Sequence, residues 1–417
     1  MNNDFNFENE NNNEILKSEN FPPEFSENID LEQDVDIDFS DFGDEKIGLD
    51  ENNVNNQNNF STSQKPPFNA ENQQNPPPFQ PNYYSYQHSY QQNYSPYQQN
   101  PEALQLFYEK NAVKKTANKI GVGFILFYVF QLLISFALGL FANNKKAVEF
   151  INDPAILLEF NIIISFLGFG LAAIFILKGE SAKASRLISY GPPKGKSLPY
   201  AIMVGIGFCY TANVVIAMVQ SVFQSFFPLK QSELELPSGI LGFILSVFSV
   251  AVAPALIEEF LFRGAIMGSL LKFGKPFAIF TSALLFAMVH GNLIQIPFAI
   301  MVGIVIGAMV IETNSFWTGV IIHFLNNFIS LCIDYLSMSV GDDIIGIFYM
   351  FFIAAIIILG IFGFYMLSIK NKNLFTFKKT GHISSTIKRF GWFISSPTII
   401  VYIVIIFLEI LSVQLLV

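Results

Sequence analysis

Hydrophobic residues are sparse along the first 118 positions and dominate the rest of the chain. Beyond that point apolar runs of roughly twenty residues recur, the length a helix needs to cross a hydrocarbon core about 30 Å thick. The runs predict spans over 119–142, 156–178, 198–223, 239–270, 276–290, 293–312, 316–338, 345–369 and 393–416. The fifth is the shortest. The predicted fold class is all-α: a polytopic transmembrane helix bundle of about eight or nine spans, preceded by a disordered N-terminal tail. The tail is assigned to 1–110 and the transmembrane domain to 111–417.

Composition agrees with this division. The mean hydropathy is +0.42, and only 14% of the 417 residues are charged. A soluble domain carries about 25%, so these charges cannot coat a large soluble surface. The net charge of -9 arises largely from Asp and Glu in residues 1–52, among them Asp34, Asp36 and Asp38. It says little about partners of the main body, and nothing in it calls for nucleic acid. From Lys65 to Pro101 the tail turns rich in Pro, Gln, Asn and Tyr. Neither part has a helix or strand period, and such segments bury too little apolar area to offset chain entropy. The Pro-rich part is open to a cytoplasmic partner as a polyproline segment; a solvated tether is the plainer reading. Cys209 and Cys332 lie in apolar runs and offer no disulfide framework. The acidic N-terminus lacks the pattern of a cleaved signal peptide.

Lysine and arginine placement predicts sidedness. Lys110, Lys114, Lys115 and Lys119 precede the first span, and Lys183, Arg186, Lys194 and Lys196 follow the second. Lys272 and Lys275 follow the fourth, and Lys370, Lys372, Lys378, Lys379, Lys388 and Arg389 follow the eighth. The alternate loops hold Lys145 and Lys146, then Lys230, then none in Gly341–Asp343. This bias puts the N-terminus in the cytoplasm and the C-terminus outside a multi-pass cell-membrane protein.

Ionisable side chains in a bilayer core are costly and usually face a bundle interior or a water-filled cavity. Three groups of them stand in the apolar runs. In the fourth span, Glu258 and Glu259 are followed by Arg263. Adjacent helical residues point about 100° apart, so the glutamates serve different faces. Glu259 and Arg263, four apart, can pair, leaving Glu258 to face a reaction site. Solvation of both glutamates near the membrane surface is the plainer alternative. Phe286 and His290 end the fifth span; a single histidine there is commonly structural or interfacial. His323 and Asn327 share one face of the seventh span, where interhelical hydrogen bonding is the plainer role. Their combination is more telling: of four histidines, the two outside the tail and the basic loop both lie in apolar spans near glutamates.

Glu258 and His290 each stand about sixteen residues, roughly 24 Å of helix, from the turn near Gly274. His323 stands only about eight residues, roughly 12 Å, from the turn near Asn314. The levels match if the Gly274 turn, flanked by Lys272 and Lys275, projects some 10 Å further into the cytoplasm. Glu409 and Asp334 also lie in apolar spans. Snorkelling or pairing with a polar neighbour accounts for them, and they are left out of the site.

The order EExxxR, FxxxH, HxxxN over about 198–340 resembles the CPBP family of CAAX prenyl endopeptidases and bacteriocin-processing enzymes. The resemblance implies peptide hydrolysis within the membrane, acting on a protein or peptide substrate. It implies Glu258 as general base, His290 as a water-orienting group, and His323 and Asn327 as oxyanion donors. Glu259 and Arg263 would brace the fourth helix. A rival scheme has Glu258, His290 and His323 hold zinc with one position open for water, although the HExxH signature is absent. Two other classes stand beside proteolysis. One is a non-proteolytic scaffold or bacteriocin-immunity protein. The other is a transporter, for which the usual internal repeat is missing. If the chain is bacterial, as its Asn-rich, Lys-over-Arg composition weakly suggests, a prenylated substrate is not expected.

Overall fold

The apolar runs fold as helices, and no strand occurs among the described residues. The structure is a computed structural model. It describes residues 100–178, 188, 190–193, 197–226, 235–340, 342–372, 374 and 381–416, without the side chains of 342–345 and 413–416. The expectations for the tail up to residue 99, and for Lys183, Arg186, Lys194, Lys196, Lys230, Gly341, Lys378 and Lys379, lie outside the described residues. The helices are α1 (Pro101–Gly139), α2 (Lys145–Ile151), α3 (Pro154–Leu177), α4 (Leu198–Phe226), α5 (Gly239–Phe273) and α6 (Lys275–Met288). They continue as α7 (Ile296–Thr313), α8 (Phe316–Val340), α9 (Asp342–Lys370), α10 (Thr386–Ile394) and α11 (Pro397–Leu416). The bundle lies in the unit that holds Val113–Val417; the other unit, Ile37–Ala112, holds among the described residues only Asn100 and the first turns of α1.

Local chemistry sets the helix ends. The Asp153 carboxylate accepts from the amides of Ala155 and Ile156, and Pro154 opens α3, the usual economy at a helix start where N–H groups lack partners. Asn314 closes α7 with φ of 47°, a left-handed turn that asparagine tolerates. Gly274, with φ of 108°, separates α5 from α6.

Among the described residues, seven helices (α1, α3, α4, α5, α7, α8 and α9) are long and apolar enough to cross a membrane. The pair α10–α11, bent by 72°, makes an eighth if taken as one span. Large apolar side chains such as Leu132, Leu133, Phe136 and Ile361 are exposed, as lipid-facing positions should be. Two of the nine predicted spans need correction. The fifth, 276–290, is α6, whose 14 residues rise only about 21 Å, short of the roughly 30 Å needed. The ninth, 393–416, does not begin at 393: the chain bends at Ser395 and Ser396, and Pro397 opens α11, because proline cannot continue a helix that precedes it. The first helix starts earlier than 119, and the short α2 was not expected.

Packing follows small residues. A Cβ on Gly207 of α4 would lie 2.5 Å from the Gly360 Cα of α9, so the two backbones touch, the close approach that small residues permit in membrane bundles. Gly207→Leu is expected to cost about 1–3 kcal/mol, as overpacking does, read as a lower unfolding temperature in detergent. Gly303 and Gly307 of α7 lie against Ala283 and Ile279 of α6. The order is reversed, so α6 and α7 form an antiparallel hairpin. It packs on α5, and α8 closes over α5 and α7.

Candidate active site

The fourth predicted span is not a uniform helix. π-helical turns at Val247–Val252 and Phe260–Met267 flank a short α-helical stretch, Ala253–Glu259. Such turns occur often at functional sites. Pro254 contributes the first of two consequences. It has no N–H, so the Val250 carbonyl loses its usual donor four residues on. Asn327 Nδ2 of α8 donates to that carbonyl at 3.0 Å, and Asn326 Nδ2 donates to Asn327 Oδ1 at 3.1 Å. The asparagine amide is thereby oriented, with its second N–H left to act elsewhere.

The second consequence concerns the paired glutamates at the end of that stretch. Glu259 is fully buried, and Arg263 is 1% exposed. Arg263 Nη1 donates to Glu259 Oε1 at 2.7 Å, and Nη2 donates to the Gly303 carbonyl of α7 at 3.2 Å. The guanidinium lies 4.7 Å from the ring centre of Phe286 on α6, a favourable cation–π arrangement. His323 Nδ1 of α8 also meets Glu259 Oε1, at 2.9 Å. One buried carboxylate thus ties α5 to α8, while its arginine ties α5 to α6 and α7. Gly319 completes the fit, since a Cβ there would lie 2.6 Å from Glu259 Oε2.

Glu258 faces elsewhere. Its side chain is 16% exposed, and its Oε2 stands 3.8 Å from His323 Nε2. That is beyond a direct hydrogen bond and within reach of one shared water. The carboxylate at Nδ1 can only accept, so Nδ1 of His323 carries a proton, and Nε2 is an acceptor when the ring is neutral and a donor when it is charged. His290 Nδ1 likewise faces a carbonyl, that of Phe286, at 2.9 Å, which leaves its Nε2 as acceptor.

The structure therefore brings together Glu258, Glu259, Arg263, Phe286 and His323. His290 reaches the group through Phe286, whose ring meets both imidazoles edge-on, at 5.1 Å for His290 and 5.8 Å for His323. Among the described residues His290 forms no ion pair with Glu258. Nor do any three His, Cys, Asp or Glu side chains among them gather as a metal ion would require. The set Glu258, His290 and His323 does not fit zinc in this arrangement. The residues not anticipated are Pro254, Asn326, Gly303 and Gly319. Only Pro254 carried a legible signal, a proline that strips a carbonyl of its donor inside a span.

No curated protein and no solved structure matches the chain. Residues 240–329, which hold all three motifs, match the family model of type II CAAX prenyl endopeptidases, Rce1-like, in agreement with the CPBP family that the motifs resemble.

Proposed function

We propose that the chain is an intramembrane endopeptidase in which Glu258 activates water against a peptide carbonyl. The family match supports a CAAX-type intramembrane protease in general. The observation that carries the finer reading is the split between two adjacent carboxylates. Glu259 is consumed in a buried network with Arg263 and His323, while Glu258 makes no hydrogen bond among the described residues and stands 3.8 Å from His323 Nε2. A water between them gives its proton to Glu258 as its oxygen bonds to the carbonyl carbon. The oxyanion that forms needs donors. Asn327 offers its second N–H, and His323 offers Nε2–H when its ring has taken a proton from solvent before the water attacks; it keeps that proton through the cycle, balanced by the Glu259 carboxylate at Nδ1. Glu258 then passes the proton to the leaving amine as the C–N bond breaks. The Nε2 of His290 accepts a hydrogen bond from the water and so orients it.

The lysine distribution supports an N-terminus in the cytoplasm. The α6–α7 hairpin returns to its starting side whether or not it crosses fully, so the sidedness read from the loops does not depend on α6.

The test compares the membrane proteomes of cells carrying the native chain or Glu258→Gln, mapping new protein termini. Substrate fragments present only with native chain are expected; identical termini in both would remove the protease reading. Asn327→Asp keeps the amide's shape and loses its N–H groups. It is expected to slow hydrolysis about 10²–10³-fold, as loss of an oxyanion donor does, measured as the rate of fragment release in isolated membranes.

A further inference from the structure

α11 places a carboxylate, Glu409, in an otherwise apolar helix. An ionisable residue at such a position is a candidate for function once its partner is known. Its partner is Tyr128 of α1, whose hydroxyl donates to Glu409 Oε2 at 3.0 Å. The carboxylate lies against the backbone of Gly291, the residue that follows His290. A Cβ built there would stand 2.6 Å from Glu409 Cδ and 2.7 Å from Oε1. Gly291 has φ of 59°, a left-handed conformation that glycine adopts at no steric cost. Both properties of the position exclude a side chain, and the carboxylate fills the space where one would be.

A second contact from the same two helices steadies the stretch just before Phe286. Tyr402 stands two turns before Glu409 and so on the same face of α11. It stacks on Phe124 of α1 at 4.3 Å, and its hydroxyl approaches the Leu285 carbonyl of α6 at 3.5 Å. The end of α6 is therefore held on both sides of His290, at Leu285 and at Gly291. Neither α1 nor α11 lies in the segment that matches the family model.

We infer that Glu409 and Tyr128 are positioning residues for His290, with the Glu409 carboxylate acting as a wedge against the Gly291 turn. The inference rests on the proposed role of His290 in orienting water, and it adds the part of the chain that sets where that ring stands.

The experiment uses the full chain in lipid nanodiscs, isotope-labelled at histidine. There are only four histidines, and the signals of His290 and His323 are assigned with His290→Gln and His323→Gln. Glu409→Leu, which removes the acceptor for Tyr128, is expected to shift or split the His290 signal and leave that of His323 in place. Glu409→Gln keeps an acceptor oxygen and is expected to restore the native signal. Tyr128→Phe repeats the comparison without altering α11, and it decides the matter if Glu409→Leu fails to fold. An unmoved His290 signal in a folded variant overturns the inference. So does a His323 signal that moves as far as that of His290, because a general loosening would do this. The proteolysis reading is tested separately by the Glu258→Gln proteome comparison; its failure leaves the His290 signal able to decide.

Discussion

Glu258→Gln is expected to lower peptide hydrolysis about 10²–10⁴-fold, the usual worth of a general base, and to leave the bundle folded. The barrier would rise by about 3–5 kcal/mol at roughly 1.4 kcal/mol per tenfold. Glutamine matches glutamate in shape and cannot take a proton from water. The fold is spared because Glu258 is partly exposed and forms no hydrogen bond among the described residues: its one ion-pair partner there is His323, at 3.8 Å. Rates of fragment release and the unfolding temperature, measured on the same membranes, check both halves. Glu259→Gln gives the contrast. It weakens a pair that fixes Arg263 and His323, so stability and activity are expected to fall together. A Glu258→Gln chain that still cuts at the native rate would move the base to another residue.

The largest loss of stability is expected from Arg263→Met. Removing one member of a buried ion pair leaves the other charge uncompensated and costs about 3–5 kcal/mol. Glu259 is fully buried, and it would keep only the His323 contact at 2.9 Å. The Gly303 carbonyl would lose its donor as well. The double variant Glu259→Leu with Arg263→Met removes both charges, and apolar replacement of a whole buried pair is often neutral or stabilising. Much of the lost stability is therefore expected to return. Activity is not expected to return with it, because His323 Nδ1 would have no acceptor to hold the ring. Thermal unfolding of the two variants, read beside their rates, separates the pair's contribution to stability from its positioning of the imidazole.

What is legible in the sequence is local. The pairing of Glu259 with Arg263 depends only on a four-residue spacing along one helix, and it appears at 2.7 Å. The divergence of Glu258 from Glu259 follows from helical rotation in the same way. The membrane bundle itself follows from runs of apolar residues. The features that could not be read depend on segments far apart in sequence. α11 holds no lysine or arginine to announce a partner for Glu409, and the partner it has, Tyr128, lies 281 positions away. Asn327 could be placed on the face of His323, but its bond to Val250 required α5 to be interrupted at Pro254. Counting residues predicts His290 level with Glu258. Counting could not tell that Phe286 would be the ring in contact with both imidazoles. The length of α6 was misjudged by two residues at its end, where the helix gives way to the turn that carries His290.

Because α6 stops after 14 residues, a rise of about 21 Å, a bilayer with Lys275 at its surface would enclose the uncoiled backbone from Val289 to Gln295. Non-helical backbone at such depth is tolerated only inside protein or beside a water-filled space. Lipid around a short hydrophobic element thins to match it. A bilayer that matched α6 would be thinner beside the Gly291 turn, which would shorten the path of a water molecule from the aqueous phase to the proposed site. Scission in this protein would accordingly be sensitive to acyl-chain length, with longer lipids deepening the moat that water has to cross.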